Sequence, residues 1–205
     1  MKPNFWNKGK IYLSKNDKIL KSIINNYPKE YMSINKNYFH CIVNSIIGQQ
    51  ISVAAANSIK QRFFKLNKNI NPTYVLKIRK NKFKKTGLSE QKTNYIKNVS
   101  YFFINNKQFI KNIESFGDNE IKEELTKIKG VGPWTADMFL IFSLGRSNIF
   151  PIGDLGLINA ISVSYKQKKP ISEKKLNQLY KKWSPFCSIA TWYLWRSLDP
   201  IPINY

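Results

Sequence analysis

The stretch Leu125–Ala136, LTKIKGVGPWTA, limits the architecture of this chain more than any other. Leu125 and Ile128 mark an apolar helical face before Gly130-Val131-Gly132, and Ala136, Phe139, Leu140 and Phe142 mark a second one after it. A glycine turn between two apolar stripes predicts a helix pair joined by a tight hairpin, over about 121–143, rather than a loop that follows a strand. Backbone N–H groups near Gly130, Gly132 and Trp134 would then point together and suit an anion such as a phosphate, with the Thr135 hydroxyl beside them. An ordinary interhelical turn fits the same local pattern. A lone acid, Asp154, follows twenty residues after Trp134. It is placed either to cap a helix or to do chemistry beside a bound polyanion, and one residue can do both.

The rest of the chain repeats the helical signal. Asp17–Tyr27 carries Ile19, Leu20, Ile23, Ile24 and Tyr27 on one stripe that stops at Pro28. Phe39–Ile47 does the same with Phe39, Ile42, Val43, Ile46 and Ile47. Ser52 is expected to cap Val53–Phe64, Asn71 to precede a first-turn Pro72, and Ser89 to cap the helix bearing Tyr95, Val99, Phe102 and Phe103. Asp118 is expected to cap Asn119–Lys127, Ser172 to cap Glu173–Trp183, and Pro185 to open a last helix through Leu198. Alternation of strand type is weak, so the chain reads as all-α, with nine or ten short helices and a frayed tail at Pro200–Tyr205.

Charge narrows the function. Against 34 Lys and Arg stand 12 Asp and Glu, for a formal net charge of +22. Such a field fits a polyanionic partner, most simply nucleic acid, although an AT-rich coding bias would also raise lysine. With 42% hydrophobic and 14% aromatic residues the chain has the material for a core. Cys41 and Cys187 are too few for an iron–sulfur cluster or a four-thiolate zinc site, and are expected to be buried and reduced. His40 is the only histidine, which disfavours Ser-His-Asp and multi-histidine metal chemistry; it is expected to be structural. No apolar run reaches the roughly 20 residues of a membrane span, and the N-terminus lacks an apolar signal core, so an intracellular protein is expected.

Four segments in order carry a resemblance. FHCIVNSIIGQQISVAAA, GLSEQKTNYI, LTKIKGVGPWTADMFLIFSLG followed by IFPIGDLGL, and KWSPFCSIATWYLW together resemble the helix–hairpin–helix (HhH-GPD) DNA glycosylase superfamily, and within it the 3-methyladenine DNA glycosylase II branch. The resemblance runs from about Phe39 to Trp195. It implies one domain over 1–205 with a two-lobed helical fold, a cleft between the lobes, and no additional N-terminal α/β domain. The implied activity is excision of alkylated purines from double-stranded DNA by a monomer, in the cytoplasm and nucleoid or in a nucleus.

Residue by residue, the resemblance makes Asp154 the catalytic acid. Breaking an N-glycosidic bond builds positive charge on the sugar, which a nearby carboxylate stabilises while it aligns a water. Trp134 and Trp195 match positions that line the base pocket, where an electron-rich ring favours a cationic base by about 0.5–2 kcal/mol per good contact. Met138 and Leu155 fall where some relatives place tyrosines, which implies a more apolar pocket. Gln50, or next Ile51, matches the wedge that fills the stack when the base is flipped; Gln49 and Gln50 would alternatively satisfy backbone groups between two helices. Lys92 is expected at a phosphate or simply solvated, and Asp137 at the surface or supporting the hairpin.

Trp134 also stands where relatives that cut the backbone carry a Schiff-base lysine, which implies a monofunctional enzyme with water as nucleophile. No cofactor is implied beyond a structural monovalent cation, sodium or potassium, on the backbone carbonyls of Thr126, Ile128 and Val131. Two rivals remain at this point: an oxidised-base glycosylase with lyase activity, and a helix–hairpin–helix DNA-binding module without catalysis. Trp183 and Trp192 are expected in the core, and Trp6 as packing for the N-terminal segment.

Overall fold

A computed structural model describes residues 1–199. Among them there is no β-strand, and none of the helices is long and apolar enough to cross a membrane. The described residues divide into two compact units, one made of Met1–Asn35 with residues 140–199, the other of Lys36–Phe139.

The first unit contains α1 (Trp6–Asn16), α2 (Lys18–Asn26), a π-helical stretch (Leu140–Leu144), α11 (Leu155–Ser164), α12 (Glu173–Trp183) and α13 (Cys187–Leu198). The second contains α3 (Tyr38–Gly48), α4 (Val53–Phe64), α5 (Pro72–Lys77), α6 (Lys80–Thr86), α7 (Glu90–Asn105), α8 (Lys107–Lys111), a 3₁₀ turn (Ile113–Ser115), α9 (Asp118–Thr126) and α10 (Pro133–Phe139). The helices outnumber the nine or ten expected. The additions are short or weakly amphipathic: α1, α6 and α8 show few apolar residues at helical spacing. Short isolated helices are marginal in water, so these depend on packing that local sequence does not show. Gly9 illustrates this in α1, because a Cβ there would fall 2.2 Å from Ile189 Cδ1 of α13. A glycine that reads locally as a helix weakener instead permits close helix contact.

Helix starts follow the caps expected of them. Ser52, Asn71, Ser89 and Ser172 each accept a backbone N–H from the first turn of α4, α5, α7 and α12. Asn37 caps α3, extending it one residue at either end of the expected span. Two boundaries move. Gly117 rather than Asp118 precedes α9, and Glu120 Oε2 accepts the Gly117 N–H at 2.7 Å. The last helix opens at Cys187 rather than Pro185, because the Phe186 N–H is taken by Trp183 O at 2.8 Å. The expected fraying at Pro200–Tyr205 lies outside the described residues.

Each unit has its own core. In the first, Trp6 meets Trp192 edge-on, with centroids 5.2 Å apart, and Trp183 is fully buried, so all three tryptophans assigned to packing do pack. In the second, α3 is buried along almost its whole length, from Phe39 to Ile47, and packs against α7 and α10. His40 Nε2–H donates to Ile70 O at 2.6 Å with its ring against Phe64, a structural role as expected. Both cysteines are buried and unpaired in any disulfide, and burial pushes the Cys187 thiol up to about 12.

Candidate active site

Asp154 ends the Pro151-Ile152-Gly153 turn, which its N–H closes onto Pro151 O at 2.9 Å. Its extended backbone makes it the N-cap of α11, the capping role considered for it from sequence. Two donors converge on Oδ1: the Leu157 N–H at 2.5 Å and the Trp195 indole N–H at 2.8 Å. The residue is 9% exposed, whereas Ile152 and Leu155 beside it in the chain are 56% and 80% exposed. A held, nearly buried carboxylate thus has exposed apolar neighbours on both sides. Trp195 is itself buried and stacks on Phe142, centroids 6.0 Å apart and planes 16° apart. Expected as a base-pocket wall, it makes its clearest contact with the carboxylate.

The hairpin lies in the other unit. The Ile128 N–H donates to Leu125 O, the Val131 N–H to Ile128 O and the Ala136 N–H to Gly132 O, at 3.1, 2.9 and 3.1 Å. This sequence of bonds carries α9 through the turn into α10. Gly130 has φ +105°, and a Cβ there would sit 2.1 Å from Tyr95 Cγ, so no other residue fits without displacing α7. Around Gly132 a Cβ would meet nothing within 4 Å, which leaves that backbone open to approach. Lys122 Nζ lies 2.6 Å from Asp137 Oδ1 and ties α9 to α10. Asp137 is 8% exposed, so it supports the hairpin from inside rather than from the surface.

Several expected contacts are corrected here. Thr135 is 1% exposed and its hydroxyl accepts Gln49 Nε2–H at 3.1 Å, so the hydroxyl faces inward and not toward a phosphate. Met138 is 1% exposed; it belongs to packed interior rather than to an open pocket wall. Trp134, one residue before Thr135, is partly exposed. Lys92 also turns inward, its Nζ donating to Ile47 O at 2.9 Å and Gln49 O at 2.8 Å. Burial holds that ammonium below the usual lysine range. Its two hydrogen-bond partners are backbone carbonyls, and the residue is half-buried.

The wedge candidates differ from one another. Gln50 is exposed and adopts φ +56°, a left-handed conformation uncommon for any residue but glycine, asparagine or aspartate; Ile51 is 38% exposed. Gln49 points the other way, donating to Gly130 O and Thr135 Oγ1, both at 3.1 Å. Its tie to the hairpin spans more than eighty residues of sequence, and no local signal identifies it. The carbonyls of Thr126, Ile128 and Val131 are neutral hard oxygens, a chemistry that would suit a monovalent ion better than a thiophilic one. Ile128 O already accepts one N–H, and a carbonyl oxygen has a second lone pair to offer.

Comparison with known proteins places this geometry. The chain is 29% identical over 197 residues to DNA-3-methyladenine glycosylase 1 of Schizosaccharomyces pombe, covering 93% of this chain and 86% of that protein. It is 27% identical over 188 residues to a putative DNA-3-methyladenine glycosylase of Bacillus subtilis, covering 88% of this chain and 66% of that protein. Among solved structures, the S. pombe 3-methyladenine DNA glycosylase in complex with abasic DNA superposes with TM-score 0.84 at 26% identity, over 97% of this chain and all of that one. Residues 43–185, which run from α3 through the hairpin and Asp154 to the turn before α13, match the family described as HhH-GPD superfamily base excision DNA repair protein. With both the hairpin and the loop of Asp154 inside that span, the chain belongs to the HhH-GPD superfamily.

Proposed function

We propose that this protein is a monofunctional DNA glycosylase of the 3-methyladenine type. It flips an alkylated purine from double-stranded DNA and hydrolyses the N-glycosidic bond, leaving an abasic site. The observation that carries this reading is the Asp154 carboxylate, 9% exposed and oriented through Oδ1 by Leu157 and Trp195. Alkylation at purine N3 or N7 makes the base a cationic leaving group. As the bond lengthens, positive charge grows on the sugar, and a fixed carboxylate stabilises it while directing water to the anomeric carbon.

The other residues divide the work of binding. In the second unit Trp134 offers a partly exposed aromatic ring to a cationic base. In the first, Leu155 supplies exposed apolar surface next to Asp154 in the chain. Gly130 and Gly132 supply backbone to a phosphate, and Gln50, with Ile51 beside it, enters the stack. A sodium or potassium ion on the Thr126, Ile128 and Val131 carbonyls would brace the turn electrostatically. Water is the nucleophile in this reading because α10 reads PWTADMF and contains no lysine, while Lys127 is paired with Glu124 on the incoming side. The site needs one chain only, and its substrate confines it to compartments that hold DNA.

Base release from methylated duplex DNA, in single turnover, tests this. Asparagine caps a helix as well as aspartate, so Asp154→Asn keeps α11 while removing the charge. The variant is expected to bind DNA yet lose about 10²–10³-fold in rate, the loss typical of one removed electrostatic stabiliser. Equal rates would refute the assignment. Borohydride with abasic DNA is expected to trap no adduct; a stable adduct dependent on one lysine would show a lyase instead.

A further inference from the structure

Along one face of α7, Lys92, Tyr95 and Asn98 recur at every third position, and each contacts either the α3–α4 loop or the hairpin of its own unit. Lys92 Nζ binds the carbonyls of Ile47 and Gln49, where α3 ends and the α3–α4 loop begins. Tyr95 presses its ring against Gly130, where only glycine fits, and its hydroxyl accepts Gln91 Nε2–H at 2.7 Å. Asn98 Nδ2–H donates to Lys129 O at 3.0 Å. Gln49 then joins the loop directly to the hairpin through Gly130 O and Thr135 Oγ1. The four contacts form a closed circuit: α7 to loop, loop to hairpin, hairpin to α7.

Two features make this more than ordinary packing. A half-buried ammonium with two of its hydrogens on neutral carbonyls, and no acid among those partners, gives up part of its hydration to end a helix. The loop it holds carries Gln50 in a left-handed conformation, which persists only where the surroundings over-determine it. We propose that Lys92 and Gln49 are positioning residues that lock the Gly48–Ser52 loop to the hairpin, so that Gln50 enters the duplex at a fixed distance from the gripped phosphate. The inference rests on the proposed glycosylase reading, and it gives Lys92 a role distinct from phosphate binding.

The test uses the full chain with two DNA probes. One is a duplex with 2-aminopurine beside a tetrahydrofuran abasic analogue, which reports stack filling without excision; the other is methylated duplex in single turnover. Gln50→Ala sets the signal of a missing wedge. Lys92→Met and Gln49→Ala are each expected to move the fluorescence at least halfway to that level and slow excision about 10- to 100-fold, as misplacement does. The double variant should be no more than about twofold worse than the worse single one, since both break one circuit.

Because Lys92 faces carbonyls, Lys92→Met should leave the slope of log Kd against log salt unchanged. A slope smaller by about 0.9 would make Lys92 a phosphate ligand and overturn the proposal. Wild-type fluorescence in both single variants, or effects that multiply in the double, would overturn it as well. Gln49→Ala leaves Lys92 and α7 untouched and carries the test should Lys92→Met fail to fold. Wild-type protein that releases no alkylated base would refute the glycosylase reading alone, since the abasic probe still reads the loop.

Discussion

Trp195 shows how much depends on where a single N–H points. Its indole donates to Asp154 Oδ1 while the ring lies flat on Phe142. Trp195→Phe keeps an aromatic surface there and deletes only the donor to a charged acceptor, a bond typically worth about 1.5–3 kcal/mol. Excision should slow by about 10-fold or more, with DNA affinity near wild type, measured in single turnover and by equilibrium binding. An unchanged rate would mean that the Leu157 N–H suffices to orient the carboxylate. That Trp195 matches a pocket position of the family was legible by resemblance in KWSPFCSIATWYLW. Its bond to Asp154 crosses 41 residues, and no local periodicity encodes the direction of a ring nitrogen.

Among the helices, α2 depends on one buried carboxylate. Asp17 is 1% exposed and caps α2 through the Ile19 and Leu20 N–H groups at 3.0 and 3.2 Å. It also accepts from Tyr165 OH at 2.8 Å and Trp183 Nε1–H at 3.1 Å, with Lys182 Nζ at 3.0 Å. Burial alone would raise its pKa, but the bonds from Trp183, Lys182, Tyr165 and the Leu20 N–H outweigh it, and the net shift is downward. A depressed folded pKa stabilises the fold above the unfolded value of about 3.9, and that stabilisation is lost as pH falls through the folded value. Asp17→Asn keeps a cap but removes the charge opposite Lys182. Urea unfolding should show about 2–3 kcal/mol less stability at neutral pH and a flatter decline below about pH 4. An unaltered acid limb would place that pH dependence on other groups. The start of α2 was readable from Asp17 and its stripe. The partners on α12 and at the end of α11 were not, since they lie about 150 residues away.

For the molecule as a whole, basic residues outnumber acids almost three to one. Asp17, Asp137 and Glu30 pair with Lys182, Lys122 and Arg196 at buried or half-buried positions, whereas Glu114 meets Lys36 at the surface. With a net charge of +22, binding to undamaged duplex should be governed by counterion release. Its affinity is expected to fall at least about 100-fold between 50 and 200 mM salt. Excision at saturating enzyme should change little, because the chemistry proposed for Asp154 involves no counterion exchange. A shallow salt dependence would return the lysine excess to coding bias. Charge was legible in composition; its division between internal pairs and outer surface was not.

Capped apolar stripes specified an all-helical chain, the Gly-Val-Gly turn specified the hairpin, and the Pro151–Asp154 turn put a cap and an acid at one position. Those features are local, so residues a few positions apart encode them. Tertiary packing settled which polar groups are engaged within the fold: Lys92 on the Ile47 and Gln49 carbonyls, Thr135 with Gln49, Asp137 with Lys122, Gln49 across to Gly130. A lysine side chain has four rotatable bonds, and the Ile47 and Gln49 carbonyls that hold Lys92 lie 45 and 43 residues back in the chain. Only the folded backbone brings those acceptors within its reach.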